Sequence, residues 1–210
     1  MRKRVKGKET AEVYQLKREI LGELEVLSEA NKIDLSYADE AAVSLEPCVP
    51  YAWQFPDEQV SMPSAKGTGI NCFALLSRDN RSLIETTRET ITAHVICEQF
   101  ERFSFGLKNL TVVVLDNAAI HRARIIKEGK AVWQQRGLFL FYLPRYAPHL
   151  NIVETLWRKL KYEWLAPTDY DNRETLCYAV RLALKGIGTN LHINFSGFNH
   201  KHLGKSNLVF

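Results

Sequence analysis

Thr111-Val-Val-Val-Leu-Asp-Asn-Ala-Ala-Ile-His121 lies near the middle of a 210-residue chain. Three adjacent valines between apolar neighbours form the pattern of a strand covered on both faces, because β-branched side chains stiffen extended backbone and an alternating pattern would leave one face wet. The strand ends where Asp116 and Asn117 begin. An Asp-Asn pair after a strand serves equally well as a turn or cap. A carboxylate at a strand end is also where α/β sheets gather functional groups.

Downstream, Leu138-Phe-Leu-Phe-Tyr-Leu143 is a second buried strand candidate, and His121 to Gln135 between the two has the character of a helix. A loop with Pro144, Pro148 and Asn151 then leads into a predicted helix over 151–164. At 100° per residue, Val153, Leu156, Trp157, Leu160 and Trp164 share one broad face, and Asn151, Glu154, Arg158 and Lys161 form a stripe beside it. Asp171 with Glu174 reads as a capping box for a further helix, with Leu176, Val180 and Leu184 in register and Gly188 near its end.

Upstream, Val13, Leu16, Ile20, Leu24 and Leu27 recur at helical steps, which predicts a helix over 10–30 with one apolar stripe. Ile33, Leu35 and Tyr37 alternate, as do Val43 and Leu45, and Asp39-Glu40 stands between them; two short strands of a hairpin are expected, with the acidic pair in the turn. Residues 50–68 have loop composition. Strands are expected over 69–77 and 83–86, joined by a turn at Asp79-Asn80, followed by a helix over 90–103. The succession of elements predicts an α/β fold, one mixed sheet flanked by helices, in a single domain.

Composition narrows the function classes. The chain is 46% hydrophobic and 25% charged, so it is neither disordered nor fibrous, and its apolar runs are too short to span a bilayer. Lys and Arg exceed Asp and Glu by 28 − 24 = 4, with five cations in the first eight residues. That excess and a cluster at Arg158, Lys159 and Lys161 are compatible with a polyanion partner and equally with a solvated surface. Cysteines at 48, 72, 97 and 177 have no metal-knuckle or redox-pair spacing and read as core side chains of a reducing interior.

Asp39, Asp116 and Glu154 are the candidate catalytic carboxylates, each beside a predicted core strand. Taken singly, Asp39 reads as a hairpin acid, Asp116 as a cap and Glu154 as a surface partner of Arg158. Taken together at one edge of a sheet, three carboxylates would supply the hard oxygen ligands that Mg²⁺ or Mn²⁺ prefers, and two such ions can serve the attacking and leaving oxygens of a phosphodiester. No Ser-His-Asp or Cys-His arrangement competes with that reading.

Val114-Leu-Asp-Asn-Ala-Ala-Ile-His121, Phe141-Tyr-Leu-Pro-Arg-Tyr-Ala-Pro-His-Leu-Asn-Ile-Val-Glu-Thr-Leu-Trp-Arg-Lys-Leu-Lys161 and the earlier Tyr37-Ala-Asp-Glu40 with Pro47-Cys-Val-Pro-Tyr-Ala-Trp53 resemble the catalytic domain of IS630/Tc1-mariner-type DDE transposases over about residues 33–187. The resemblance implies a ribonuclease H-like fold with Asp39, Asp116 and Glu154 as the catalytic and metal-holding acids. It implies cleavage at insertion-sequence ends and strand transfer of the freed 3′-hydroxyl into target DNA, with Mg²⁺ or Mn²⁺, two ions in all. Glu40, Asn117, His121, Asn151, Arg158 and Lys161 match positions flanking those acids and are expected to support them or contact DNA, with Trp157 part of the same helix signature and Lys127 a weaker phosphate candidate.

The implied partners are double-stranded DNA, a second copy of the chain assembled on DNA, and a separately encoded helix-turn-helix portion, with no membrane; the implied setting is a bacterial cytoplasm, at the nucleoid when acting. Residues 1–32 are expected to be a basic leader and helix, 33–188 the catalytic domain and 189–210 a tail. Thirty-seven residues separate Asp116 from Glu154, more than in the eukaryotic relatives, and Ala52 stands where relatives often have Gly. About 32 residues before the first strand are too few for a helix-turn-helix recognition module, so a fragment, a split gene or a decayed copy is expected. The competing readings are a catalytically silent, sequence-nonspecific DNA-binding relic and a cellular nuclease of the same fold.

Overall fold

A computed structural model describes residues 9–47, 56 and 68–198. The basic leader, Cys48 and the segment to Trp53 that follows Pro47 lie outside the described residues, as does the end of the expected tail. The elements in chain order are α1 (Ala11–Glu29), β1 (Asp34–Ser44), β2 (Thr68–Leu76), β3 (Ser82–Thr87), α2 (Ala93–Phe105), β4 (Thr111–Leu115), α3 (Arg124–Gln135), β5 (Leu138–Tyr142), α4 (Val153–Lys159) and α5 (Arg173–Lys185). The strands form one five-stranded sheet in the order β3-β2-β1-β4-β5. It is mixed: β2 and β3 run antiparallel, with Asn71 opposite Thr87, and β4 and β5 run parallel, with Thr111 opposite Leu138. The mixed sheet with helices is what the succession of elements predicts, and it is the ribonuclease H-like arrangement that the resemblance implies.

The chain divides into two compact units. The first comprises residues 1–37, 93–151 and 194–210, and so contains α1, the start of β1, α2, β4, α3 and β5. Every residue of β4 is buried, as a strand covered on both faces requires. Trp133 of α3 packs edge-on to Phe100 of α2 with centroids 5.5 Å apart and donates its indole N–H to Glu101, which also takes a 2.6 Å ion pair from Arg136. The apolar stripe of α1 is largely exposed: Leu16 is 57% and Leu27 42% accessible. The helix rests on its other side, through Leu21, Gly22 and Glu25, because the Glu25 carboxylate takes a short hydrogen bond from Tyr37 of β1.

The second unit comprises residues 38–92 and 152–193. Its strands meet α5 at close quarters: a Cβ on Gly69 would stand 2.6 Å from Leu176 Cδ2 and 2.7 Å from the Val43 carbonyl oxygen. The turn into β3 places Asn80 at φ 64°, and its buried amide grips the backbone of Ile193 from both sides, accepting from the Ile193 N–H at 2.7 Å and donating to the Ile193 carbonyl at 3.1 Å. Residues just beyond the expected domain end are thereby fastened to the β2–β3 hairpin.

Three local expectations are corrected. Residues 34–44 are one continuous strand, not a hairpin, so Asp39 and Glu40 sit in mid-strand. Leu35, Tyr37, Asp39, Ala41 and Val43 keep an unbroken period of two, and no turn residue interrupts it. The helix expected over 151–164 is a seven-residue α-helix continued by a π-helical turn, Leu160–Trp164, in which the Leu165 N–H reaches back five residues to the Leu160 carbonyl. Asn151 precedes that helix, and Asn172, not Asp171, caps α5 through a 3.0 Å bond from the Thr175 N–H.

Candidate active site

In the first unit, β4 delivers Asp116 to the point where the strand stops. Its carboxylate accepts from the Ala118 N–H at 2.9 Å, which folds the chain into a tight turn, and contacts His121 Nδ1 at 2.7 Å. Burial works to raise the Asp116 pKa. The bonds from His121 and Ala118, with the charges of His121 and Arg122, outweigh it and hold the acid below its ordinary range. An ionised carboxylate only accepts, so Nδ1 carries the proton in this pair. His121 is fully buried, in a short 3₁₀ turn, Ile120–Arg122, that precedes α3 rather than in the helix expected there. Tyr142 at the end of β5 donates to the His121 carbonyl at 2.9 Å. The strand that pairs with β4 thus fixes the residue that holds the acid at its end.

A second layer comes from the N-terminal side. Glu9 accepts from Asn117 Nδ2 at 3.4 Å and from Lys17 Nζ at 3.0 Å, and Lys17 also reaches the Leu143 carbonyl at 3.4 Å. Tyr14 OH and His149 Nε2 lie 2.9 Å apart. The loops after β4 and β5 are therefore both tied to α1 and to Glu9, two residues before it. Sequence pattern gives no signal for these ties, since the partners stand 108, 126 and 135 residues apart.

In the second unit, Asp39 is half-buried in β1, and its Oδ2 accepts the indole N–H of Trp157 at 3.1 Å. Glu154 lies three residues before Trp157 on α4, and residues three apart on a helix are surface neighbours. Glu154 is exposed, with its neighbours Val153, Leu156 and Trp157 buried. The helix thus packs through one face and carries the acid on its border. Glu40 is half-buried in β1, and Asn151, which ends a segment of the first unit, is buried directly after the 3₁₀ turn Pro148–Leu150. Arg158 lies 3.7 Å from Glu163, not against Glu154, and Lys159 pairs with the same Glu163 at 2.6 Å. Lys161 lies in the π-helical turn, and Lys127 is exposed on α3. The thiol of Cys72 on β2 is pushed up to about 12 by burial, as a core cysteine should be, and Cys177 is buried too.

Asp39 and Glu154 therefore belong to one compact unit and Asp116 to the other. Among the described residues, no group of three His, Cys, Asp or Glu side chains forms a ready metal cluster. The donor set itself is chemically suited to a hard cation, being carboxylate oxygens without thiolates. No helix among the described residues is long and apolar enough to cross a membrane.

A family model described as DDE superfamily endonuclease matches residues 34–177, from β1 into α5, and all three acids lie inside the match. No curated protein matches the sequence. Among solved structures, the chain is similar to the Mos1 mariner paired end complex with Mn, at 12% identity and a TM-score of 0.50, covering 88% of this chain and 63% of that one. It is also similar to a chain of a simian T-cell lymphotropic virus intasome, at 11% identity and a TM-score of 0.53, covering 76% of this chain and 50% of that one. The chain thus spans less than two thirds of the length of either, and at such identities the likeness is one of fold.

Proposed function

From the premise that the chain belongs to the DDE superfamily endonuclease family, we propose that it is the catalytic portion of a transposase of the IS630/Tc1-mariner type, cutting DNA at insertion-sequence ends and transferring the freed strand. Asp39, Asp116 and Glu154 would hold Mg²⁺ or Mn²⁺, two ions in all. Bound there, such ions supply Lewis-acid stabilisation of a phosphodiester's developing charge and a more acidic water.

The residues around the acids have their own tasks. His121 and the Ala118 amide keep Asp116 ionised and aimed, as a ligand must be. The Trp157 indole orients Asp39 from the helix that carries Glu154. Arg158 and Lys161 would face phosphates, Arg158 from beside Glu163. The partners would be duplex DNA, a second copy on that DNA and a helix-turn-helix portion, in a bacterial cytoplasm at the nucleoid. The observation that carries the reading is the hydrogen bond from Trp157 to Asp39, which supports a common catalytic edge for β1 and the Glu154 helix.

The test is cleavage of a duplex carrying the element's own end, with Mg²⁺ or Mn²⁺, by the chain and by Asp116→Asn. Cleavage is expected from the first and none from the second, with both equally folded by circular dichroism. Metal-dependent cutting that survives Asp116→Asn would overturn the assignment, and folded chain with no metal binding would favour the silent DNA-binding reading.

A further inference from the structure

A groove of about 410 Å³ opens between β3 and α5 in the second unit, lined by Ser82, Ile84, Thr86, Arg181, Leu184 and Lys185, among others. It contains none of the candidate catalytic acids. We propose that it is a phosphate-binding track for the backbone of duplex DNA, separate from the catalytic edge. The identity of the polyanion rests on the nucleic-acid reading above; the groove's anionic preference rests on its own chemistry.

Ser82, Ile84 and Thr86 alternate along β3 and line the groove, and Glu85 alternates to the opposite face. Opposite them, Arg181 and Lys185 stand one turn apart on α5, both exposed. Arg181 Nε donates to Thr86 Oγ1 at 3.2 Å, which fixes the guanidinium over the strand without neutralising it. Several arginines of the fold are paired with carboxylates, Arg88 with Glu174, Arg81 with Asp79, Arg124 with Glu128 and Arg136 with Glu101. Among the described residues neither Arg181 nor Lys185 has a carboxylate partner. Glu174, the sole acid of α5, is held by Arg88.

Two cations and two hydroxyls on an open floor match how proteins hold phosphate: Arg and Lys supply charge, and Ser and Thr donate to the oxygens. The four-residue step from Arg181 to Lys185 advances about 6 Å along the helix. A DNA strand rises about 3.4 Å per phosphate, so that separation spans about two phosphate steps and lets Arg181 and Lys185 take different phosphates of one strand. Exposed Tyr178 and Leu182 extend the same side of the helix, at 69% and 58% accessibility, and give a sugar edge an apolar surface to rest on.

The test is binding of a fluorescent duplex of arbitrary sequence by the full chain, carrying Asp116→Asn, in EDTA across a salt series. Metal and cleavage then play no part. Adding Arg181→Gln with Lys185→Gln is expected to lower the slope of log K against log salt by about two, uniformly across sequences. Arg102→Gln with Lys108→Gln, which removes two exposed cations of the other unit, is expected to leave the slope within one of its starting value. Lys185 of the otherwise unaltered chain is expected to resist acetylation when duplex is bound, which tests the groove without a variant that must fold.

An unchanged slope in the groove variant, an equal loss in the control variant, or Lys185 as reactive with duplex as without would overturn the proposal. Equal protection by inorganic phosphate at the duplex's phosphate concentration would reduce the groove to a free-phosphate site and also overturn it. Absence of any duplex binding by the starting chain would defeat both the groove and the function above. Binding whose slope ignores Arg181 and Lys185 would defeat the groove alone.

Discussion

The indole N–H of Trp157 donates to Asp39 Oδ2 at 3.1 Å, tying a helix to the middle of a strand 118 residues away in sequence. Trp157 is 4% accessible, so the bond holds a half-buried carboxylate from a packed aromatic anchor. Trp157→Phe keeps most of the apolar burial and deletes the donor. A hydrogen bond to a charged acceptor is worth roughly 1.5–3 kcal/mol, and the partial exposure of Asp39 puts the expected loss near the lower figure. Thermal unfolding should fall by about 3–6 °C. On the proposed function, Mn²⁺ affinity measured by titration calorimetry should fall as well. A variant with unaltered melting and metal affinity would show that the contact orients nothing.

Asp116 gives a pH signature in the metal-free chain. Its pKa in the folded state lies below the ordinary 3.8, because its hydrogen bonds and neighbouring cations outweigh its burial. A depressed folded value means that the unfolded chain takes up the proton first, so the ionised acid stabilises the fold above about 3.8 and ceases to as pH falls through the lower folded value. Asp116→Asn should therefore be less stable than the starting chain at pH 7, and the difference should shrink in acid below that point. Urea unfolding of both chains from pH 7 to pH 2.5 measures it. A difference that stays constant over that range would mean that Asp116 has no such shift.

Much of this was legible in the sequence. Three successive valines fixed β4 within the chain, and the residues after it located Asp116 and His121, because an apolar run and the turn that ends it are local properties. A mixed sheet flanked by helices also follows from the succession of elements, while the number of its strands and their order do not. What failed to show was of two kinds. Asp39 looked like a turn residue because an acid interrupts an apolar alternation, yet β1 runs on through it. The period of two was the better guide than the charge. Periodicity shows the stripe on α1 but not which side packs: Tyr37 draws Glu25 inward, and Leu16 and Leu27 stay outside. A buried hydrogen bond between residues on different elements leaves no periodic trace, and neither do the ties from Glu9 and Lys17 to the loops after β4 and β5.

Those ties make Glu9 a test of how the Asp116 loop is held. Glu9 Oε1 receives both Lys17 and Asn117, while its Oε2 is buried with no hydrogen-bond partner. Glu9→Ala removes two bonds and also relieves one unpartnered oxygen, so the net cost in stability is expected to be about 1 kcal/mol or less. The larger effect should be local. Hydrogen exchange at residues 117–119 and at Leu143 to Tyr146 should quicken severalfold, with α3 unaffected. Unchanged exchange in both loops would mean that α1 does not brace them.

Gly69 tests the packing of β2 against its neighbours. Its added Cβ would meet two obstacles of different kinds: Leu176 Cδ2 at 2.6 Å, the mobile tip of a side chain, and the Val43 carbonyl oxygen at 2.7 Å, part of the backbone of β1. Leu176 is fully buried, so it can yield only by displacing its own neighbours. Overpacking of this kind costs about 1–3 kcal/mol, and Gly69→Ala should melt roughly 3–10 °C lower. The two obstacles separate in a double-mutant cycle. If Leu176 alone stood in the way, Leu176→Ala would make room and Gly69→Ala would then cost nothing further. The carbonyl cannot move without shifting β1, so a substantial part of the cost should persist in the Leu176→Ala background. Complete rescue there would show that the strand backbone gives way more easily than its place in the centre of the sheet implies.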